Sequence, residues 1–278
     1  MKKILVAMLG ILLFLTGCGG NQNQDVKEQA IQAYIDTSNT MVDSFIKVDM
    51  SANINVPRSM LVTDEVNLNV NLSGHIDVKN TLMHFTGSVT SPTNTMENQN
   101  FEIYMDQNYI YIYENGQWMK AANDNNEIAS IHENLTGLNT QEATEMFDQL
   151  RNVQYTQSTR DGVSGYVISG TIDKAILENI LQAALATLTP EQTQGIDLSQ
   201  INLNMINQLD INLNTFIAGD HSFIEIFDSS VNVNVMMVGA NITDLNVKTS
   251  RSNEPVVIPQ AALNAPVVST PALPGGSN

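Results

Sequence analysis

Residues 46–56 read IKVDMSANINV, and residues 66–76 read VNLNVNLSGHI. In both stretches, apart from Gly74, every second side chain is apolar and the side chains between them are polar. A period of two is typical of a β-strand that buries one face. Pro57 ends the first stretch, and the same alternation soon restarts, which favours an antiparallel pair. The fold is therefore predicted to be built on antiparallel sheet.

The turn that follows these strands fixes a pairing register. If Lys79 and Asn80 form a two-residue turn, the alternation continues in step on both sides of it. The predicted pairs on one face are Val78 with Thr81, Ile76 with Met83, Gly74 with Phe85 and Leu72 with Gly87. On the opposite face, His75 is predicted to lie beside His84.

Two further turns predict a three-stranded meander over residues 103–119. Gln107-Asn108 and Asn115-Gly116 are the turn residues, and Asn-Gly is a strong hairpin signal. One face of the meander carries the aliphatic residues Ile103, Met105, Ile110, Ile112 and Met119. The other side, which we call the aromatic face, carries Tyr104, Tyr109, Tyr111, Tyr113 and Trp118.

Helical periodicity occurs in three places. Apolar residues three and four apart run through residues 25–42, Thr140 is a suitable cap for a helix with Glu142 in its first turn, and residues 174–188 carry another apolar stripe. Strand periodicity surrounds Arg160-Asp161-Gly162 and returns between residues 211 and 247. Residues 255–259 are expected to form a short edge strand.

The N-terminal sequence predicts where in the cell the protein lies. Met1-Lys2-Lys3 is basic, residues 4–15 are apolar but too few to span a bilayer, and Leu15-Thr16-Gly17-Cys18 matches the lipobox of bacterial lipoproteins. We expect residues 1–17 to be a signal peptide, Cys18 to carry a diacylglyceryl group, and residues 18–24 to be a tether. The chain would then lie on the extracytoplasmic face of a cell membrane.

Composition disfavours several classes of protein. The chain has 278 residues, 42% of them hydrophobic, a formal net charge of −17 and one cysteine. Such a charge repels phosphate backbones, which disfavours nucleic-acid binding, and one thiol excludes an internal disulfide and a thiolate metal cluster.

Residues 25–262 are predicted to form one domain because no clear linker divides them. Residues 263–278, rich in Pro, Ala, Ser and Gly, are predicted to be a disordered tail.

The layout resembles that of half-barrel bacterial lipoproteins, a group that includes the LolA and LppX type carriers and many lipoproteins of Gram-positive bacteria. The resemblance rests on Cys18, a leading helix, long alternating strands, the hairpin YIYIYENGQWMK at 109–120, and VIPQ at 257–260 followed by Ala261. It covers most of residues 25–262 and implies an α+β fold, a curved antiparallel sheet (half-barrel) with helices packed on its concave face. It also favours a Gram-positive source.

The same resemblance implies an apolar space between sheet and helices, which in the carriers holds acyl chains. We therefore expect this chain to bind or carry an apolar, lipid-like ligand. The predicted lining residues are Met50, Ile76, Met83, Phe85, Ile103, Ile112 and Leu181. No nucleophile, phosphate-binding loop or acid–base pair stands out, so neither enzymatic activity nor a cofactor is predicted. The expected partners are the membrane and a lipid, and the expected state is a monomer.

A second interpretation stays open, that of a non-catalytic envelope module binding a protein or a cell-wall glycan. Under it, the aromatic face is a platform for sugar rings or for a partner protein. Alternatively, the same residues are a cross-strand ladder covered by a second layer. His75 and His84 are a candidate metal pair, but two histidines on a polar face are more often plain surface, and no metal site is assigned.

Overall fold

The computed structural model describes residues 24–42, 45–59, 64–92, 99–114, 116–123, 140–176, 206–235 and 238–268. Cys18, the predicted signal peptide and Leu181 lie outside these ranges, as does most of the helix predicted at 174–188, of which one helical turn at 174–176 is described.

A long helix and six strands form the first part of the described chain. Helix α1 (Gln24–Val42) leads into β1 (Phe45–Val56), β2 (Val66–Asp77), β3 (Leu82–Thr90), β4 (Gln99–Met105), β5 (Tyr109–Glu114) and β6 (Gln117–Ala122). Helix α2 (Thr140–Phe147) is followed by β7 (Arg151–Arg160), β8 (Val163–Asp173), β9 (Ile206–Ala218), β10 (Phe223–Val235), β11 (Val238–Ser252) and the short helix α3 (Gln260–Leu263).

The eleven described strands form one curved, open, antiparallel sheet in the order β6-β5-β4-β3-β2-β1-β11-β10-β9-β8-β7. Strands β1 to β6 run outward to one edge, and β11 back to β7 run outward to the other. The two groups join where β1 pairs with β11. The predicted half-barrel α+β fold is confirmed, although the described helices are few, so the sheet dominates.

The predicted hairpin registers are also confirmed. Ile76 pairs with Met83, Gly74 with Phe85 and His75 with His84. In the meander, Ile103 pairs with Ile112, and Ile112 pairs in turn with Met119. Directly paired residues of antiparallel strands share a face, so the alternation read from the sequence holds across six strands.

The sheet has two chemically different sides. We call one side the helix face, because its residues Ile46, Val48 and Ile76 share a buried core with Ile31 of α1 and Phe147 of α2. We call the other side the polar face, since β1 and β2 present to it the pairs Lys47 with His75, Asp49 with Ser73 and Ser51 with Asn71.

Two strand glycines allow aromatic rings to lie against the backbone on the helix face. A methyl group at Gly74 would lie 2.1 Å from the carbonyl oxygen of His84 and 2.4 Å from Cδ1 of Phe85. A methyl group at Gly87 would lie 2.2 Å from Cζ of Phe101. Each glycine is the direct cross-strand partner of the phenylalanine that covers it.

The end of the chain corrects two expectations. Residues 255–259 form no strand, and the predicted disordered tail is ordered through residue 268. The amide of Lys120 donates to the carbonyl oxygen of Pro266 (3.1 Å), and the amide of Val268 donates to that of Lys120 (2.8 Å), so this segment extends edge strand β6. Residues 269–278 lie outside the described ranges.

The glycine contacts predict unequal effects of two identical substitutions. Gly74→Ala sets a methyl group against fixed backbone and should lower the free energy of unfolding by about 1–3 kcal/mol, measured by denaturant unfolding. Gly87→Ala should cost clearly less, because the end of the Phe101 side chain can rotate away. Equal effects would contradict the described contact at Gly74.

Candidate binding surfaces

The helix face is closely packed over one half of the sheet. Helix α1 packs mainly on β7, β8, β9 and α2. Ile168, Ile172 and Ile217 are almost fully buried there, and the rings of Tyr34 and Phe147 meet edge to face with centroids 5.1 Å apart. This half of the domain is a solid core.

Over β3 to β6, the same face carries apolar side chains that are only half-buried. We call these residues the apolar strip: Phe85, Phe101, Ile103, Met105, Ile110 and Met119. Phe85 pairs with Ile103 and Met105 pairs with Ile110, so the side chains form continuous rows across the strands. The strip contains no ionisable side chain.

The predicted ligand-lining residues within the described ranges all lie on the helix face. Met50, Phe85 and Ile103 are half-buried. Ile76 and Met83 belong to the packed core, and Ile112 is 3% exposed. The register therefore brings all six onto one face, but only the first three are accessible. Leu181 lies outside the described residues.

The aromatic face lies on the opposite side of the same strands and is largely covered. Residues 254–268, which we call the C-terminal strap, place Val256 and Ala262 against Tyr104 and Tyr111 in a separate buried cluster. Tyr104 and Tyr111 are 7% and 2% exposed, so the interpretation as an open platform is wrong for them. Tyr113 is 37% exposed, and its ring centroid lies 5.0 Å from that of Trp118.

Buried phenols under the strap remain hydrogen-bond donors. The Tyr111 hydroxyl donates to Oδ2 of Asp106 at 2.8 Å, and burial together with this carboxylate raises the pKa of Tyr111 far above its ordinary value. Burial and the nearby carboxylate of Glu102 raise the pKa of Tyr104 to about 12. Both phenols are therefore neutral at physiological pH.

The two histidines lie opposite each other, as the register predicts, but each has its own carboxylate. Nε2 of His75 lies 3.3 Å from Glu254 of the strap, and Nε2 of His84 lies 2.9 Å from Glu102. The His84 ring also stacks on Tyr104, with centroids 4.1 Å apart. Among the described residues, no group of three metal-ligating side chains comes together.

A groove of about 1040 Å³ crosses the polar face from β10 to β5. Its floor consists of two cross-strand rows. The first row is Glu225, Lys248, Asp49, Ser73, Thr86, Glu102 and Tyr113. The second row is Asn246, Ser51, Asn71, Ser88 and Asn100. We call this the polar groove. The sequence did not predict the groove, because the groove requires the distant pairing of β1 with β11.

The family model that matches residues 24–265 is described as a family of unknown function, DUF6612, and the chain belongs to this family. The comparison with curated proteins gave no match. Within the described residues, no helix is both long enough and apolar enough to cross a membrane.

Two solved structures show weak similarity to the chain. One is LprF from Mycobacterium bovis, with 17% identity, a TM-score of 0.37, and coverage of 87% of this chain and 100% of that one. The other is a DUF1329 family protein from Desulfovibrio piger, with 9% identity, a TM-score of 0.26, and coverage of 82% and 95%. Similarities this low assign neither ligand nor activity.

The strap contact predicts a sharp difference between neighbouring valines. Val256→Asp places a charge in the cluster over Tyr111 and should lower the free energy of unfolding by about 1–3 kcal/mol. It should also make Trp118, the chain's one tryptophan, more accessible to acrylamide quenching. Val257 is 69% exposed, so Val257→Asp is the matched control and should change neither quantity. Equal effects of both variants would contradict the described strap.

Proposed function

We propose that the chain is an extracytoplasmic lipoprotein, anchored through Cys18, that binds an apolar, lipid-like ligand on the helix face. The observation that carries this proposal is the apolar strip, a set of half-buried Phe, Ile and Met side chains on neighbouring strands beside a solid core. Binding removes this surface from water, which is favourable by about 25 cal/mol per Å² of apolar area.

The chemistry of the strip points to hydrocarbon. Its side chains carry no charge and form no hydrogen bonds, so they cannot compensate a polar ligand for the hydrogen bonds that it loses to water. Met105 and Met119 are unbranched and polarisable, and methionine adapts its shape to flexible ligands. An acyl chain satisfies these conditions. In this proposal the chain is a monomer that catalyses no reaction and needs no cofactor.

The anchor and the ligand are chemically separable. A diacylglyceryl group on Cys18 is covalent, whereas a ligand on the strip is released when the protein unfolds. The anchor would hold the domain close to the membrane from which such a ligand comes. The net charge of −17 makes direct adsorption of the domain to anionic lipid unfavourable, so we infer that the anchor supplies the membrane attachment.

Measuring the amount of non-covalently bound lipid on the purified full-length chain tests the proposal. Denaturation should release lipid from the wild type, detected by mass spectrometry. Ile103→Asp should lower the amount at least tenfold, because burying a carboxylate beside an acyl chain is costly. Ile103→Trp, which fills the strip without adding charge, should lower it as well.

Asn69→Asp is the matched control, since it adds the same charge to an exposed position on the polar face. It should leave the lipid content unchanged. Unfolding curves of all the variants separate ligand loss from misfolding. A wild-type chain without released lipid, or folded Ile103 variants that keep a full complement, would overturn the proposal.

A further inference from the structure

The polar groove is on the side of the sheet away from the apolar strip, so the proposed lipid ligand does not account for it. Residues from seven neighbouring strands line it, from Glu225 on β10 to Tyr113 on β5. It is too large and too continuous to be a gap between two side chains.

The charged groups of the groove are already paired. Glu225 accepts a hydrogen bond from Nε of Arg160 (2.7 Å), Lys248 pairs with Asp161, and Glu102 pairs with His84. Asp49 accepts from Lys47 (2.8 Å) and from the Ser73 hydroxyl (2.5 Å). Burial alone would raise the pKa of Asp49, but these hydrogen bonds and the Lys47 charge outweigh it and lower the pKa. In the described lining, an oppositely charged neighbour therefore offsets each of Glu225, Lys248 and Asp49, and Glu102 is hydrogen-bonded to the His84 ring.

Neutral polar groups, by contrast, are free on the floor. Ser51, Asn71, Ser88 and Asn100 stand side by side on β1 to β4. The amides of Asn71 and Asn100 are exposed and have no hydrogen-bond partner among the described residues. Each amide offers two donors and one acceptor, and each serine hydroxyl offers a donor and an acceptor.

An aromatic ring stands at the β5 end of the neighbouring row, diagonally across from Asn100. Tyr113 is the most exposed aromatic residue of the described chain, at 37%, and it borders the groove together with Gly116. Trp118, its direct cross-strand partner, lies beside it with a centroid separation of 5.0 Å. A supported, exposed ring provides an apolar platform for a flat ligand face.

We propose that the polar groove binds a neutral oligosaccharide, with a pyranose ring stacked on Tyr113 and further rings hydrogen-bonded by Asn100 and Asn71. The hydroxyl groups of sugar rings can hydrogen-bond with the amides and hydroxyls of the groove floor, and the apolar faces of the rings can stack on the tyrosine. Neighbouring strands lie about 4.8 Å apart, close to the length of one pyranose ring, so successive strands meet successive rings. This goes beyond the lipid-binding function and does not depend on it.

Trp118 fluorescence provides the test, because this ring touches Tyr113. The full-length chain, held in a detergent without a sugar headgroup, is titrated with chitotetraose and with cellotetraose. At least one should cause a saturable change in emission. An anionic tetramer of galacturonic acid should not, because the acidic chain repels it.

Variants then locate the site by calorimetric titration. Tyr113→Ala should weaken binding about tenfold, and Tyr113→Phe should retain it. Asn71→Ala should weaken binding about three- to tenfold. Asn69→Ala, which removes the same amide from the same strand outside the groove, should have no effect. The lipid content of all four variants should equal that of the wild type. Failure of the sugar-binding proposal is therefore distinguishable from failure of the lipid-binding proposal.

Absence of binding by both neutral tetramers would overturn the inference. Binding that is unchanged by Tyr113→Ala and Asn71→Ala would overturn it too, because the sugar would then lie elsewhere. Binding of the anionic tetramer alone would also count against it, since the groove would then be selecting charge.

Discussion

The pairing of β1 with β11 is the contact on which the rest of the structure depends. Phe45 pairs with Ser252 and Asn55 with Asn241, so this ladder joins segments roughly 200 residues apart, whereas most other strand pairs are local hairpins. Each doubling of the loop length raises the entropic cost of closing the loop by only about 0.6 kcal/mol. Pairing between segments so distant in sequence nevertheless slows folding. Because β1 is central, its alternation sets both faces, and a slip by one residue would turn Val48 out and Asp49 in.

Unequal coverage of this sheet is what suggests function. Helices α1 and α2 cover one half of the helix face, and the C-terminal strap covers most of the aromatic face. Among the described residues, the apolar strip and the polar groove remain accessible, on opposite sides of β3 to β5. If both proposals hold, a lipid and a sugar are bound at the same time on opposite sides of the sheet.

Local features of the structure were predictable from the sequence, and distant ones were not. Turn residues and parity were enough to pair His75 with His84 and Ile76 with Met83, because both pairs lie within one hairpin. The strap was missed because Val256 and Ala262 follow no strand or helix period. The groove was missed because Lys248 reaches Asp49 only through the β1–β11 ladder. Accessibility likewise depends on packing, so Ile76 was predicted on the right face but lies in the core.

Photo-crosslinking in cells would show whether hydrocarbon lies on the helix face. Cells producing the full-length chain would be fed a fatty acid bearing a diazirine, irradiated, and the crosslinked peptides mapped by mass spectrometry. Lipid binding on the helix face predicts adducts on strip residues such as Phe85, Ile103 and Met105, which share one face. Adducts confined to the N-terminal anchor region, or to polar-face residues such as Asn69, would contradict it.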